Sequence, residues 1–389
     1  LQRILPAPNG DYLLAGISWS PVSGDKTNII GGTDYWIVRI DKHGNKVWDK
    51  SIGGRYSEYL YDAIVARDGG YLLGGYSESD ASGDKSENNI GGEDFWIIKI
   101  NNNGDRVWDR TIGSSGYDHL RSLIPTSDGG YLLGGESSAN ASGDKSEDSR
   151  GGRDYWIVKT DKDGNIQWDK TIGGSGDDFL TDIIHAPDGN FLLIGRSSSN
   201  ISAEKSENSK GGQDYWIVKI DKDGNKLWDK TFGGNKGEYL STAVATPEGG
   251  YLLVGNSNSD ASGDKSQDQN SDINYKGDFW IVKINSEGVI QWEKTIGGRG
   301  GEFPTAVLPT SDHSYLIGGS SDSHFGIDKS EDSRGGTDFW LVEIDNQGNV
   351  LWDKTIGGDN NELINSIVAT PEGGYLLGGR SESNQSGEK

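Results

Sequence analysis

The segment with most scope for chemistry is a short polar loop, Ser-Gly-Asp-Lys-Ser-Glu, which stands at Ser82 to Glu87 and again at Ser142 to Glu147. Variants of it occupy Ser23 to Thr27, Ala203 to Glu207, Ser262 to Gln267 and Ile327 to Glu331. A hard cation such as calcium needs about six to eight oxygens from carboxylates, hydroxyls, carbonyls and water, and this loop supplies several within a short span. Asp84 with Glu87, Asp144 with Glu147 and Asp328 with Glu331 are therefore the candidate metal ligands, with calcium as the candidate ion. The spacing is not that of an EF-hand, and Gln267 and Thr27 stand where the second carboxylate should be. That substitution favours the alternative reading, an Asx-type turn whose lysine pairs locally with carboxylates.

A second set of acids lies ten residues after a recurring tryptophan, at Glu58, Asp118, Asp178, Glu238, Glu302 and Glu362. Recurrence favours a structural use such as capping loop amides, although such acids could also draw cations to an opening or serve a paired-carboxylate glycosidase. The Asp-Lys-Asp-Gly-Asn segments at Asp161 and Asp221 mimic the start of a calcium loop but read better as hairpin turns. The five histidines fall at different points of the repeat and form no local cluster, and there is no cysteine for a thiolate site or nucleophile. No residue is singled out as catalytic.

These residues are positioned by a period of 60. Tyr-Leu-Leu or a near match begins at Tyr12, Tyr71, Tyr131, Phe191, Tyr251, Tyr315 and Tyr375, and an Asp-aromatic-Trp strand begins at Asp34, Asp94, Asp154, Asp214, Asp278 and Asp338. Within 120–179, Leu120 to Thr126, Tyr131 to Gly135, Tyr155 to Thr160 and Ile166 to Ile172 read as four strands separated by turn residues, with no helical period. Four antiparallel strands repeated along a chain are the blades of an all-β propeller. The repeats run 1–59, 60–119, 120–179, 180–239, 240–303 and 304–363, with a partial one at 364–389. Six complete blades and half of a seventh predict a single seven-bladed domain whose last blade is completed by other residues, because an open sheet edge must be covered. A six-bladed ring with an extra hairpin is the runner-up.

Connections within each repeat alternate between short and long, so every long loop should emerge on one face. Twelve of the thirteen tryptophans recur once per blade in two slots, as in Trp96 and Trp108, which suits packing between blades. The formal charge of −23 argues against nucleic acid or another polyanion as partner. No run approaches the roughly 18 apolar residues of a membrane span. The chain starts inside a repeat and has no methionine, which suggests a mature or partial product whose export signal lay upstream.

The run Ser366 to Gly379, Ser-Ile-Val-Ala-Thr-Pro-Glu-Gly-Gly-Tyr-Leu-Leu-Gly-Gly, resembles the first two strands of WD-type repeats. The Asp-Tyr-Trp strand, Asp-Gly-Asn turn and following Trp resemble the repeats of quinoprotein-type propellers. Over its whole length the chain is similar to the 60-residue propeller repeats of secreted and surface proteins from Bacteroidetes-like bacteria, related to delta-sixty repeats. That resemblance implies an extracellular or cell-surface location, often within a longer polypeptide exported by type IX secretion, and implies no common catalytic activity.

If repeated residues build the blades, departures from the repeat are where ligand binding should be sought. Trp19 stands where other repeats have Glu78 or Ser138, the fifth repeat carries an altered loop with Asp272, Asn274 and Tyr275, and the sixth substitutes His324 and Phe325. Aromatic rings among amides and carboxylates suit a sugar or a polar protein surface. The first expectation is a secreted binding or adhesion module for glycan or protein. An extracellular polysaccharide-active enzyme and a structural or export-cargo domain of a larger protein are the alternatives.

Overall fold

The computed structural model describes residues 1–271, 276–310 and 313–387, and contains no α-helix among them. The chain forms two compact units, residues 1–183 and 184 onward. It is an all-β propeller fold in which six antiparallel sheets of four strands follow one another along the sequence. The expected seventh blade is corrected. Glu362–Ala369 and Tyr375–Ser381 form a two-stranded sheet, because residues 362–387 hold no counterpart of the Asp-aromatic-Trp strand or of the strand after it.

The third repeat illustrates the blade. Its strands are Asp118–Pro125, Tyr131–Ser137, Asp154–Thr160 and Ile166–Ile172, so the first begins two residues before the expected Leu120. The two middle strands are buried along their whole length, which explains their near-continuous apolar character. The fourth is partly exposed and carries Asp169 and Lys170 after Trp168, charges that blunt an edge that could otherwise pair with another chain. A register shift separates Gly134 from Gly135, and a Cβ on Gly135 would lie 2.0 Å from the His119 carbonyl oxygen. A glycine there is a steric requirement of the bulge.

The Asp161 turn is a hairpin, as expected. Asp161 Oδ1 accepts the N–H groups of Asp163 and Asn165 at 2.9 Å, and Oδ2 accepts the Asn165 amide at 2.8 Å, so its oxygens are used within the turn.

Blades are joined through the first tryptophan slot. In the first unit the Tyr35 ring packs on Trp96 at 5.0 Å and Phe95 on Trp156 at 4.9 Å. In the second unit Tyr215 meets Trp280 at 4.8 Å and Phe279 meets Trp340 at 5.0 Å. Such pairs add about 0.5–1.5 kcal/mol beyond their area burial. Each indole N–H also finds an acid on its own fourth strand, as in Trp156 Nε1 to Asp169 Oδ2 at 3.0 Å. The second slot leans on the hairpin turn of the next blade, with Trp108 against Gly164 and Trp228 against Gly288.

Candidate functional site

The recurring acids open the first strand of each blade after the first, and of the two-stranded sheet at 362–381, and are buried. Glu58 Oε2 accepts the Gly54 N–H at 2.7 Å, and its Oε1 accepts the Ser77 hydroxyl at 2.9 Å. Asp118 accepts the Ser114 N–H at 2.6 Å. These acids tie the connection between blades to the strand that follows.

The polar loop is fixed in the same way. Asp84 accepts the Gly53 N–H at 3.2 Å, whereas Glu87 accepts the Thr111 N–H at 2.7 Å. Asp144 and Glu147 divide likewise between Gly113 and Thr171, and Asp328 and Glu331 between Gly297 and Thr355. Each pair is thus aimed at two separate stretches of backbone. Among the described residues no three His, Asp or Glu side chains converge as a group that could hold a metal ion. The loop lysine is buried and does not simply pair with acids: Lys145 Nζ donates to Thr171 Oγ1 at 2.7 Å and to the Glu147 carbonyl at 2.6 Å.

Of the residues expected to meet a ligand, Trp19 is 69% exposed in the first unit. His324 and Phe325 come together in the second unit at a cleft of about 360 Å³, which Lys276, Arg299 and Asp322 also line. Asp272, Asn274 and Tyr275 lie outside the described residues.

The register exposes a set of positions that the sequence pattern conceals. The residue after each buried acid faces the sixth residue of the second strand, giving Tyr59 opposite Tyr76, His119 opposite Glu136, Tyr239 opposite Asn256 and Phe303 opposite Ser320. Both members change from blade to blade while their neighbours repeat. That contrast was available in the sequence, but only the strand register shows that the two variable positions face each other.

In the second unit these positions line two clefts that share Tyr239 and Asn258. One, of about 990 Å³, is bordered by Gln213, Asn235 and Lys236, and the other, of about 380 Å³, by Asn256 and Phe303. Tyr239 and Phe303 are 40% and 45% exposed, so each presents a ring to solvent. The polar groups around them are mostly amides held from behind. Gln213 Oε1 accepts from Arg196 at 2.9 Å, and Asn256 Nδ2 donates to the Glu302 carbonyl at 2.7 Å. The Arg196 guanidinium lies 5.5 Å from the Tyr239 ring centroid and supports its back. Asn258 Oδ1 has no hydrogen-bond partner among the described residues.

The corresponding positions of the first unit carry charge. The Tyr76 ring stacks on His119 at 4.3 Å, His119 Nε2 is bonded to Glu93, and His119 Nδ1 lies 3.7 Å from Glu136. Arg121 grips Glu136 through Nη2 at 2.6 Å and covers the Tyr61 ring at 4.3 Å. Burial pushes the Glu136 carboxyl up, but the bonds from His119 and Arg121 outweigh it and hold the group below the usual carboxylate range. Burial, with the neighbouring Tyr61 and Glu93, raises the Tyr76 phenol.

Repeated four-stranded blades, with the chemistry confined to a few variable positions, define a β-propeller repeat protein. No family model matches the chain. Regulatory protein FlaEY of Caulobacter vibrioides is 25% identical over 224 residues, 54% of this chain and 23% of that protein, so the chain spans about a quarter of its relative's length. Hydrazine synthase of Kuenenia stuttgartiensis is similar in structure with a TM-score of 0.55 at 9% identity, covering 98% of this chain and 96% of that one. The Pan2 WD40 domain of Neurospora crassa gives a TM-score of 0.49 at 10% identity, covering 96% and 94%. A protein of unknown function from Bacteroides caccae gives 0.45 at 14%, covering 89% and 94%. At these identities the likeness is one of fold alone.

Proposed function

We propose that this protein is a bacterial surface or secreted binding module that takes an uncharged glycan on the Tyr239 and Phe303 clefts of its second unit. The observation that carries the reading is the pairing of two solvent-facing rings with the side-chain amides of Gln213, Asn256 and Asn258. A pyranose offers an apolar face to stack on a ring and hydroxyls that amides satisfy in both directions. Extracellular location and membership of a longer polypeptide belong to the same proposal and rest on the resemblance to exported 60-residue repeats.

The enzyme alternative draws on one observation, the unrepeated His119 beside Glu93 and Glu136. Both ring nitrogens face carboxylates and Glu136 is committed to Arg121, so the histidine is held inside a satisfied network. The binding reading is therefore preferred.

Affinity electrophoresis through gels containing neutral soluble polysaccharides tests it. At least one polysaccharide should retard the wild-type protein, and Tyr239→Ala or Phe303→Ala should abolish the retardation without changing the circular dichroism spectrum. Unretarded migration through the whole panel would sink the proposal.

A further inference from the structure

The cleft at Phe325 repeats the cleft at Tyr239 one blade later. The Arg299 position is that of Asn235 shifted by one repeat, and Gly300, Asp322 and Lys276 likewise take the positions of Lys236, Asn258 and Gly212. Both are formed where one blade meets the next. The same junction is thus used twice in succession within the second unit.

The two clefts also adjoin. The Gly277 backbone touches Asn258, since a Cβ there would lie 2.6 Å from Asn258 Oδ1, and the next residue back, Lys276, lines the later cleft. The Lys276 side chain in turn packs on Gly301, 3.0 Å from where its Cβ would be, two residues before Phe303. A path of contacts therefore runs from Tyr239 and Asn258, past Phe303 and Lys276, to Phe325.

The later cleft is lined by residues that depart from the repeat. Lys276 replaces a glycine found at Gly32, Gly92, Gly152, Gly212 and Gly336. Phe325, 71% exposed, replaces Ala81, Ala141 or Ala261. Two residues after Phe325, Ile327 takes a φ of 57° where five other repeats, the partial one included, place glycine, an unfavourable conformation for a β-branched side chain that is left 57% exposed. Exposed rings and a strained apolar residue cost stability and solubility and bring the core nothing. The positive charge of Lys276 is met by Asp322.

We infer that the successive junction clefts are tandem subsites for one linear polysaccharide, with Tyr239 and Phe303 holding one stretch of the chain and Phe325 the next. This rests on the glycan reading above and adds that the ligand is the interior of a polymer rather than a single sugar or a chain end. Two weak subsites filled by one molecule gain through effective concentration, by about 10²–10⁴-fold over either alone when the geometry permits both.

Isothermal titration calorimetry of the full chain with a length series, from disaccharide upward, of the polysaccharide found by electrophoresis tests the inference. Affinity should climb at least tenfold with length and then level off. Phe325→Ala should erase that climb while leaving disaccharide affinity unchanged, and Tyr239→Ala should weaken every length. Disaccharide and polymer binding with equal affinity per site would overturn the tandem arrangement and leave the glycan reading standing. A full climb retained in Phe325→Ala would also overturn it. Failure of every length to bind would remove both.

Discussion

The carboxyl groups of Asp278 and Glu302, both wholly buried, flank Gly297 where the third strand of the fifth blade meets the first strand of the sixth: a Cβ on Gly297 would lie 2.4 Å from Asp278 Oδ1 and 2.7 Å from Glu302 Oε2. Burial above all, joined by the charge of Glu302 and opposed by the Asn270 N–H, pushes Asp278 up to about 8. Asp94 and Asp214, in the same slot, are pushed up to about 6. An unfolded aspartate titrates near about 3.9, so between there and about 8 the folded chain binds the extra proton. The stability this site contributes is complete at the acid end of that window and is lost as pH rises through it. Asp278→Asn cannot ionise and escapes the loss. Urea unfolding at pH 5 and pH 8 should show the variant gaining on the wild type as pH increases; a gain in the opposite direction would contradict the assignment.

Trp156 combines inter-blade packing with a bond to Asp169. Trp156→Ala should cost about 3–5 kcal/mol through the cavity it leaves. Trp156→Phe keeps the ring and loses the N–H, and should cost about 1–3 kcal/mol. Chemical denaturation curves that place the two variants level would mean that packing contributes little at this junction.

Calcium should not stabilise the protein. Asp84 and Glu87 are engaged by the Gly53 and Thr111 N–H groups, and an ion bound only by the folded chain would have to raise the unfolding temperature. Scans in EDTA and in millimolar calcium should therefore coincide. A calcium-specific rise that disappears in Glu87→Gln would restore these residues as ligands.

Ile327→Gly relieves a left-handed backbone at a position where Gly263 serves in the preceding blade. Relief of strain exceeds the added freedom of the unfolded glycine, and the expected gain is about 0.5–1 kcal/mol. A variant less stable than the wild type would show that the isoleucine side chain packs usefully in the free protein.

The blades were legible because a fixed period turns strand and turn signals into a repeated measurement. Tyr-Leu-Leu, Asp-aromatic-Trp and Asp-Gly-Asn each mark an element that the chain forms. The start of the first strand was less legible, since Glu58 and its equivalents look like loop acids until the amides they accept from, such as Gly54, are known. The loop lysine was misjudged for a related reason: charge suggests solvent or an ion pair, yet Lys145 is buried against a threonine hydroxyl and a carbonyl. The site was the least legible part. Repeated residues drew attention to Asp84 and Glu87, whereas the clefts are lined by Tyr239, Asn256 and Phe303, which match no motif and are brought together only by cross-strand register. His324 and Phe325 were found from sequence because they interrupt a loop that is otherwise regular.

The near-identical geometry of the blade junctions makes the repeats interchangeable parts. Tyr35 meets Trp96 at an interplanar angle of 41° and Phe279 meets Trp340 at 40°, so one junction surface can substitute for another. A gene built this way can gain or lose a whole repeat cassette by unequal recombination without creating a mismatched seam, and the four extra residues of the fifth repeat are absorbed in a loop while Phe279 and Trp340 still meet as in the other blades. Ligand preference can then change by shuffling cassettes as well as by altering single residues, because each one carries its own variable pair into an unchanged frame.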